Sequence, residues 1–169
     1  LSSPGVDTKD EDDGEDDQKL EPEKATRYRG IAARINYLAT DRPDIQYSIQ
    51  ECCRDMLSPS LGAWKRLERI GRYLIVCPRL IWHFELQNEL EYFDTFSDAN
   101  WAGCKVSRKS TSGGAITIGT HLIKSWSKTQ ATVAKSSAES ELYGTVRAAC
   151  ESLGFSTLLD DLGGSGKAR

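Results

Sequence analysis

A chain of 169 residues, 38% hydrophobic and 28% charged, can build one core of ordinary domain size with a small satellite, which excludes two large domains. It has no run of eighteen apolar residues, and its first 24 residues are acidic rather than a basic flank leading into an apolar stretch, so neither a membrane span nor a secretory signal is expected. The net charge of -3 conceals a division: residues 7–23 hold ten acidic and two basic side chains, leaving a basic body compatible with a polyanionic partner. The five cysteines form no CxxC pair and have no histidine at zinc-finger spacing, so they read as reduced thiols packed as small apolar groups.

Residues 1–24 contain almost no apolar side chain, and the run over 10–17 repels itself, which predicts a disordered acidic linker. A solvated spacer is the simpler role, with an acidic mimic of nucleic acid or a partner-binding tail as the alternative. From residue 25 to 79 the pattern is helical. Tyr28, Ile31, Ala32, Ile35 and Leu38 make one apolar stripe, and Asp41, Arg42 and Pro43 then break the chain. Ile45, Ile49, Cys52, Cys53 and Met56 make a second stripe, ending at Pro59. The third helix runs over 60–74, with Trp64, Leu67, Gly71 and Leu74 expected inward and Lys65, Arg66, Arg69 and Arg72 mostly outward. That basic row suits either a line of phosphates or a solvated face.

After Pro78 the texture becomes β. Residues 80–84, 92–96, 115–118 and 122–126 are rich in aromatic and branched side chains, and Gly119 and Thr120 read as a hairpin turn. Residues 136–162 return to helix, with Ala138, Leu142, Thr145, Ala149 and Leu153 expected on the packed stripe and Gly163 and Gly164 at the C-cap. The predicted class is α/β: a helical segment, then a three-stranded meander followed by a long helix.

Two carboxylates stand out. Asp98 ends an apolar strand and precedes the turn-like segment Ala99 to Gly103, a place where a carboxylate is exposed to a ligand. Glu139 is explained by Ser136, three residues earlier, as a capping box. Glu141 lies roughly 200° further round the helix, at the margin of the packing face, and is the candidate aimed towards Asp98. With only His83 and His121 available, no histidine-dependent nucleophile is credible, and Gly113-Gly114 lacks the lysine and spacing of a phosphate loop.

The series Tyr37-Leu38-Ala39-Thr40-Asp41-Arg42-Pro43-Asp44-Ile45, followed by Trp64-Lys65-Arg66-Leu67 and the rest of that helix, resembles the end of a copia-type retrotransposon reverse transcriptase, its thumb and connection. Phe96-Ser97-Asp98-Ala99-Asn100-Trp101-Ala102-Gly103, Arg108-Lys109-Ser110-Thr111-Ser112-Gly113-Gly114, Ser125-Trp126-Ser127-Lys128-Thr129-Gln130 and Ser136-Ser137-Ala138-Glu139-Ser140-Glu141-Leu142-Tyr143 are similar, in the same order, to the motifs opening the RNase H domain of that Pol polyprotein. The resemblance implies residues 25–79 as a reverse transcriptase remnant and 80–169 as a C-terminally truncated RNase H-like domain. It implies hydrolysis of the RNA strand of an RNA/DNA hybrid by two Mg2+ ions, with Asp98 and Glu141 as catalytic and metal-holding carboxylates. Arg108 and Lys109 with Lys128, and Arg66, Arg69 and Arg72, are the expected phosphate neighbours. The implied partners are the hybrid and the rest of the Pol polyprotein, and the implied setting is cytoplasmic or nuclear.

Three departures accompany the resemblance. Asn100 stands where the family commonly has a second Asp. The family's next catalytic aspartate lies on the strand after the long helix, and Lys167-Ala168-Arg169 fall about where that strand begins. Asp160 and Asp161 precede the helix-ending glycines and are not substitutes. The metal site is therefore expected to be incomplete and cleavage impaired, and a non-catalytic nucleic-acid-binding remnant is the alternative.

Overall fold

The computed structural model describes residues 16–87, 92–104, 106–164 and 167–169, so most of the acidic run lies outside the described residues. The chain divides into two compact units, Leu1–Asp41 with Ser48–Arg79, and Arg42–Tyr47 with Leu80–Arg169.

The first unit is helical, and Pro43–Tyr47 of the second unit form the start of its middle helix. Helix α1 spans Pro22–Leu38, with Pro22 in its first turn, where the ring costs no hydrogen bond. Helix α2 spans Pro43–Arg54 and continues into a short 3-10 turn, and α3 spans Leu61–Val76, capped by Ser60, whose Oγ accepts from Ala63 N at 3.3 Å. The first two stripes pack much as the periodicity predicts, with Tyr28, Ala32, Ile49 and Cys52 buried. Tyr28 is fully enclosed and satisfies its hydroxyl by donating to Cys52 O at 2.7 Å. The α3 stripe is rotated from expectation. Ala63, Leu67 and Ile70 are buried, whereas Trp64, Gly71 and Leu74 are only half-buried. Trp64 is held at that margin because its indole N–H donates to Glu68 Oε1 at 2.6 Å and Lys24 lies over its ring.

The chain ahead of α1 does not run free from Asp16 onward. Lys19 bridges Ser60 in antiparallel fashion, Leu20 N donates to Pro59 O at 3.0 Å, and Leu61 N donates to Gln18 O at 2.8 Å. Residues 18–20, placed in the linker by composition, are thus hydrogen-bonded to the backbone around Pro59 before α3, and residues 22–24 already belong to α1.

In the second unit β1 (Tyr92–Asn100), β2 (Thr111–Ile118) and β3 (His121–Thr129) form an antiparallel meander, and α4 (Ser137–Asp161) crosses back to β4 (Lys167–Ala168), which lies parallel to β1. The order β3-β2-β1-β4 is an incomplete RNase H-like sheet. The last residues already begin the expected strand: Tyr92 pairs with Lys167 and Phe93 with Ala168, while Arg169 forks onto Asp94 at 2.8 and 3.2 Å. Gly163, at φ +76°, ends α4, and Gly164 N donates to Leu159 O at 2.9 Å in the manner of a Schellman cap.

Residues 80–84 are not a strand, despite their composition. The ladder positions of β1 are taken by β2 and β4, so no strand edge beside it remains for this segment. It is tied to the β2–β3 turn through side chains instead: Phe84 meets His121 edge-on at 5.1 Å, and nearby Gln87 bonds Ile118 O, Thr120 N and His121 Nδ1.

The core joins sheet to helix through Phe93, Ile116, Trp126 and Ala148, with Phe155 packed edge-on to Phe93 at 5.0 Å. The face of α4 that packs here is not the predicted one. Ser140, Gly144, Ala148 and Ser152 are buried, while Leu142 and Leu153 are 59% and 69% exposed. Small side chains every fourth residue let the helix lie close on the sheet, and hydrophobic periodicity does not register serine and glycine as inward.

Gly114 is required by the same close packing. A Cβ there would overlap the Trp126 indole and lie 2.7 Å from Phe96 O. Gly114→Ala is expected to destabilise this unit by about 1–3 kcal/mol, read as a lower urea midpoint with m unchanged.

Candidate active site and nucleic-acid interface

Asp98 lies near the C-terminal end of β1, on a ladder rung with Gly113 and Ser127; Ala99, Ser112 and Lys128 form the adjacent rung. Phe93 and Thr95 meet α4 through Phe155 and Ser152, so strand alternation places Asp98 with Phe96 and Asn100 on the opposite sheet face. Asn100 Nδ2 donates to Tyr47 Oη at 3.1 Å, and Gln46 bonds the Ser125 hydroxyl at 3.0 Å. The Asp98 side chain is exposed and makes no hydrogen bond or ion pair among the described residues.

The N-terminal turns of α4 cover the same end of the sheet. A Cβ at Gly144 would lie 3.7 Å from Ala99 Cβ, from Asp98 O and from Ser112 Oγ, so the turn following Glu141 rests on the Asp98 carbonyl and the Ala99 and Ser112 side chains. Ser136 caps the helix, its Oγ accepting from Glu139 N at 3.1 Å. Glu139 Oε2 accepts from Lys135 N at 2.7 Å and Oε1 from the Tyr143 hydroxyl at 2.8 Å. The Lys135 amide and then the Tyr143 hydroxyl hold the Glu139 carboxyl below the usual carboxylate range. Glu139 is thus a capping group, as its spacing predicts, while the Glu141 side chain is exposed and unpaired among the described residues.

Of the expected cations, Arg108 and Lys109 lie in the β1–β2 loop and Lys128 on β3, all at the Asp98 end of the sheet. Arg108 is exposed at φ +55°, and its backbone N–H donates to Cys104 O at 2.8 Å, which fixes the turn. Arg66, Arg69 and Arg72 belong to the other unit, on α3. Arg66 is engaged by Asp55 at 2.7 Å, whereas Arg69 and Arg72 are exposed, with no ion pair among the described residues.

Gln130 is a positioning residue that sequence reading did not single out. Its buried amide donates to Ser112 Oγ at 2.9 Å and to Ser140 O at 2.8 Å, pinning the first turn of α4 to β2 beside Asp98. The available signal was the spacing of small residues from Ser140 to Ser152 opposite a polar side chain at a strand end.

Asp98 and Glu141 offer the oxygen donors that Mg2+ prefers, but no group of three His, Cys, Asp or Glu that could hold a metal exists among the described residues. The residues present do not fit a complete two-ion site.

The five cysteines form no disulfide with one another. Burial pushes the Cys52 thiol up to about 11, and burial also raises Cys53, so neither is a reactive thiolate at neutral pH. At pH 8 iodoacetamide is expected to label exposed Cys150 first and fully buried Cys52 last, read by peptide mass spectrometry.

A three-stranded antiparallel meander followed by a long helix that crosses back to a strand parallel to β1 is an incomplete RNase H-like fold. The relatives narrow that class. The chain is 35% identical over 138 residues to the retrovirus-related Pol polyprotein from transposon RE2 of Arabidopsis thaliana and 36% identical to that from transposon RE1. Each match covers 82% of this chain and 9% of the relative. An uncharacterized mitochondrial protein of the same plant is 35% identical over 127 residues, 73% of this chain and 51% of that protein. The chain belongs to the copia-type Pol polyprotein family and spans about a tenth of the length of the Pol relatives it matches. No protein-family profile matches it, and no solved structure matches it. Among the described residues no helix is long and apolar enough to cross a membrane.

Proposed function

We propose that the second unit is the opening half of a retrotransposon ribonuclease H domain, acting on the RNA strand of an RNA/DNA hybrid, and that residues 25–79 derive from the reverse transcriptase thumb and connection. The observation that carries this is the gathering at one end of the sheet of the unpaired carboxylate Asp98, the Glu141 turn of α4 and the cations Arg108, Lys109 and Lys128. Asp98 and Glu141 would supply two of the oxygen donors, and a further carboxylate would be needed before bound Mg2+ could activate water and stabilise the leaving oxygen. The chain's own residues hold the backbone: Arg108, Lys109 and Lys128 meet phosphates, and base readout is unnecessary because a hybrid is recognised by shape and 2′-hydroxyls. Gln130 and Ser136 fix the register of α4 against the sheet, so that Glu141 stays at the Asp98 end.

A second reading, a nucleic-acid-binding remnant without cleavage, is favoured by one observation: the described residues contain no three-ligand cluster. Incubation with a hybrid labelled on its RNA strand, in Mg2+ and beside duplex DNA, separates the two. Slow cleavage confined to the hybrid's RNA is the expected result. Salt-sensitive binding with intact RNA would sink the nuclease reading and leave the binding one.

A further inference from the structure

We propose that the basic stripe of α3 is a docking surface for this chain's own acidic run, residues 7–15. Gly62, Lys65, Arg69 and Arg72 recur at steps of three and four, which places them along one face of α3. The described residues preceding α1 already enter that face in a defined direction. Lys19 pairs with Ser60, Gln18 O accepts from Leu61 N, and Asp16 lies against Gly62 and bonds Lys65 Nζ at 2.8 Å. As residue number falls from 19 to 16, the chain advances along α3 towards Arg69 and Arg72. Gly62 admits this approach, since a Cβ there would sit 3.0 Å from Asp16 Cβ.

Reach and charge then select the occupant. From Lys65 to Arg72 the helix rises roughly 10 Å, a span that about three residues of extended chain cover. Glu15 and Asp13 are the carboxylates within that distance of Asp16, and Asp12 lies one residue further. Residues 7–15 carry six acidic groups against one lysine, opposite two arginines that are exposed and unpaired among the described residues. Arg69 and Arg72 are also among the phosphate neighbours that the sequence resemblance implies, so the run would compete with a nucleic acid for them; the docking itself does not rest on that reading.

The test uses the full chain carrying Arg69→Lys and Arg72→Lys, which keep the charge and add amines, treated with a water-soluble carbodiimide. Amide links from positions 69 and 72 to carboxylates within 7–15, lost in molar salt and formed within single chains when isotope-labelled and unlabelled protein are mixed, are expected. Links that reach only Asp16 or other regions, or that join separate chains, overturn the proposal. Neutralising the run with Asn and Gln is expected to tighten hybrid binding about tenfold at low salt. If neither chain binds hybrid, the nucleic-acid reading fails, while the crosslinks still decide the docking.

Discussion

Asp98→Asn is expected to lower RNA-strand cleavage on the order of 100-fold or more while hybrid affinity holds or improves. The substitution keeps the shape of the side chain and removes only its charge. Because the carboxylate is exposed and unpaired among the described residues, little folding energy depends on it, and the melting midpoint should move by less than about 0.5 kcal/mol in equivalent stability. Affinity should not fall, since a negative charge near phosphates is being removed. Glu141→Gln should behave in the same way and Glu139→Gln should not, because Glu139 already spends its oxygens on Lys135 N and Tyr143. Equal loss from Glu139→Gln and Glu141→Gln would show that helix integrity, not a metal-holding carboxylate, governs cleavage. Arg108→Ala with Lys109→Ala provides the complementary result: weaker binding, with the salt slope reduced by about one per charge removed.

Arg42→Ala is expected to be the most damaging single change to folding. Arg42 is 5% exposed, and its guanidinium forks onto Asp44, with Nε 3.0 Å from Oδ1 and Nη2 2.7 Å from Oδ2. Removing the guanidinium breaks its bonds to the part-buried Asp44 carboxylate, where a fully buried pair would lose about 3–5 kcal/mol. The Asp44 side chain is 20% exposed and recovers some hydration, so the lower end of that range applies. Against an ordinary domain stability of about 5–15 kcal/mol, such a loss shifts the urea midpoint clearly. Arg42→Met, which refills the volume, should destabilise as Arg42→Ala does if the charge is what matters, and much less if packing is.

Helix positions and the meander were legible from the sequence because they rest on local rules. The two-residue hairpin turn at Gly119, the Ser60 and Ser136 caps and the glycine stop at Gly163 are contacts between near neighbours, and each lies where residue type alone puts it. The order of motifs carried the family, and the Pol relatives agree with it. Side-chain orientation was less accessible. Periodicity placed Leu142 and Leu153 inward, but the helix packs through Ser140, Gly144, Ala148 and Ser152, since close approach to a sheet rewards small volume over hydrophobicity. Strand propensity at residues 80–84 was real, but β1, the next strand in the chain, is already flanked by β2 and β4, a condition set by the whole sheet.

The sequence by itself determined the element order, the caps and turns, and Asp98 and Glu141 as the carboxylates that local structure does not consume. The tertiary structure alone decided that Gln130 pins α4 to β2, that Asp98 stands on the sheet face away from α4, and that Asp16 lies against Gly62 and bonds Lys65. The physical reason is range: a turn or cap depends on residues within about four positions, whereas the face a side chain occupies depends on partners fixed only when distant segments pack.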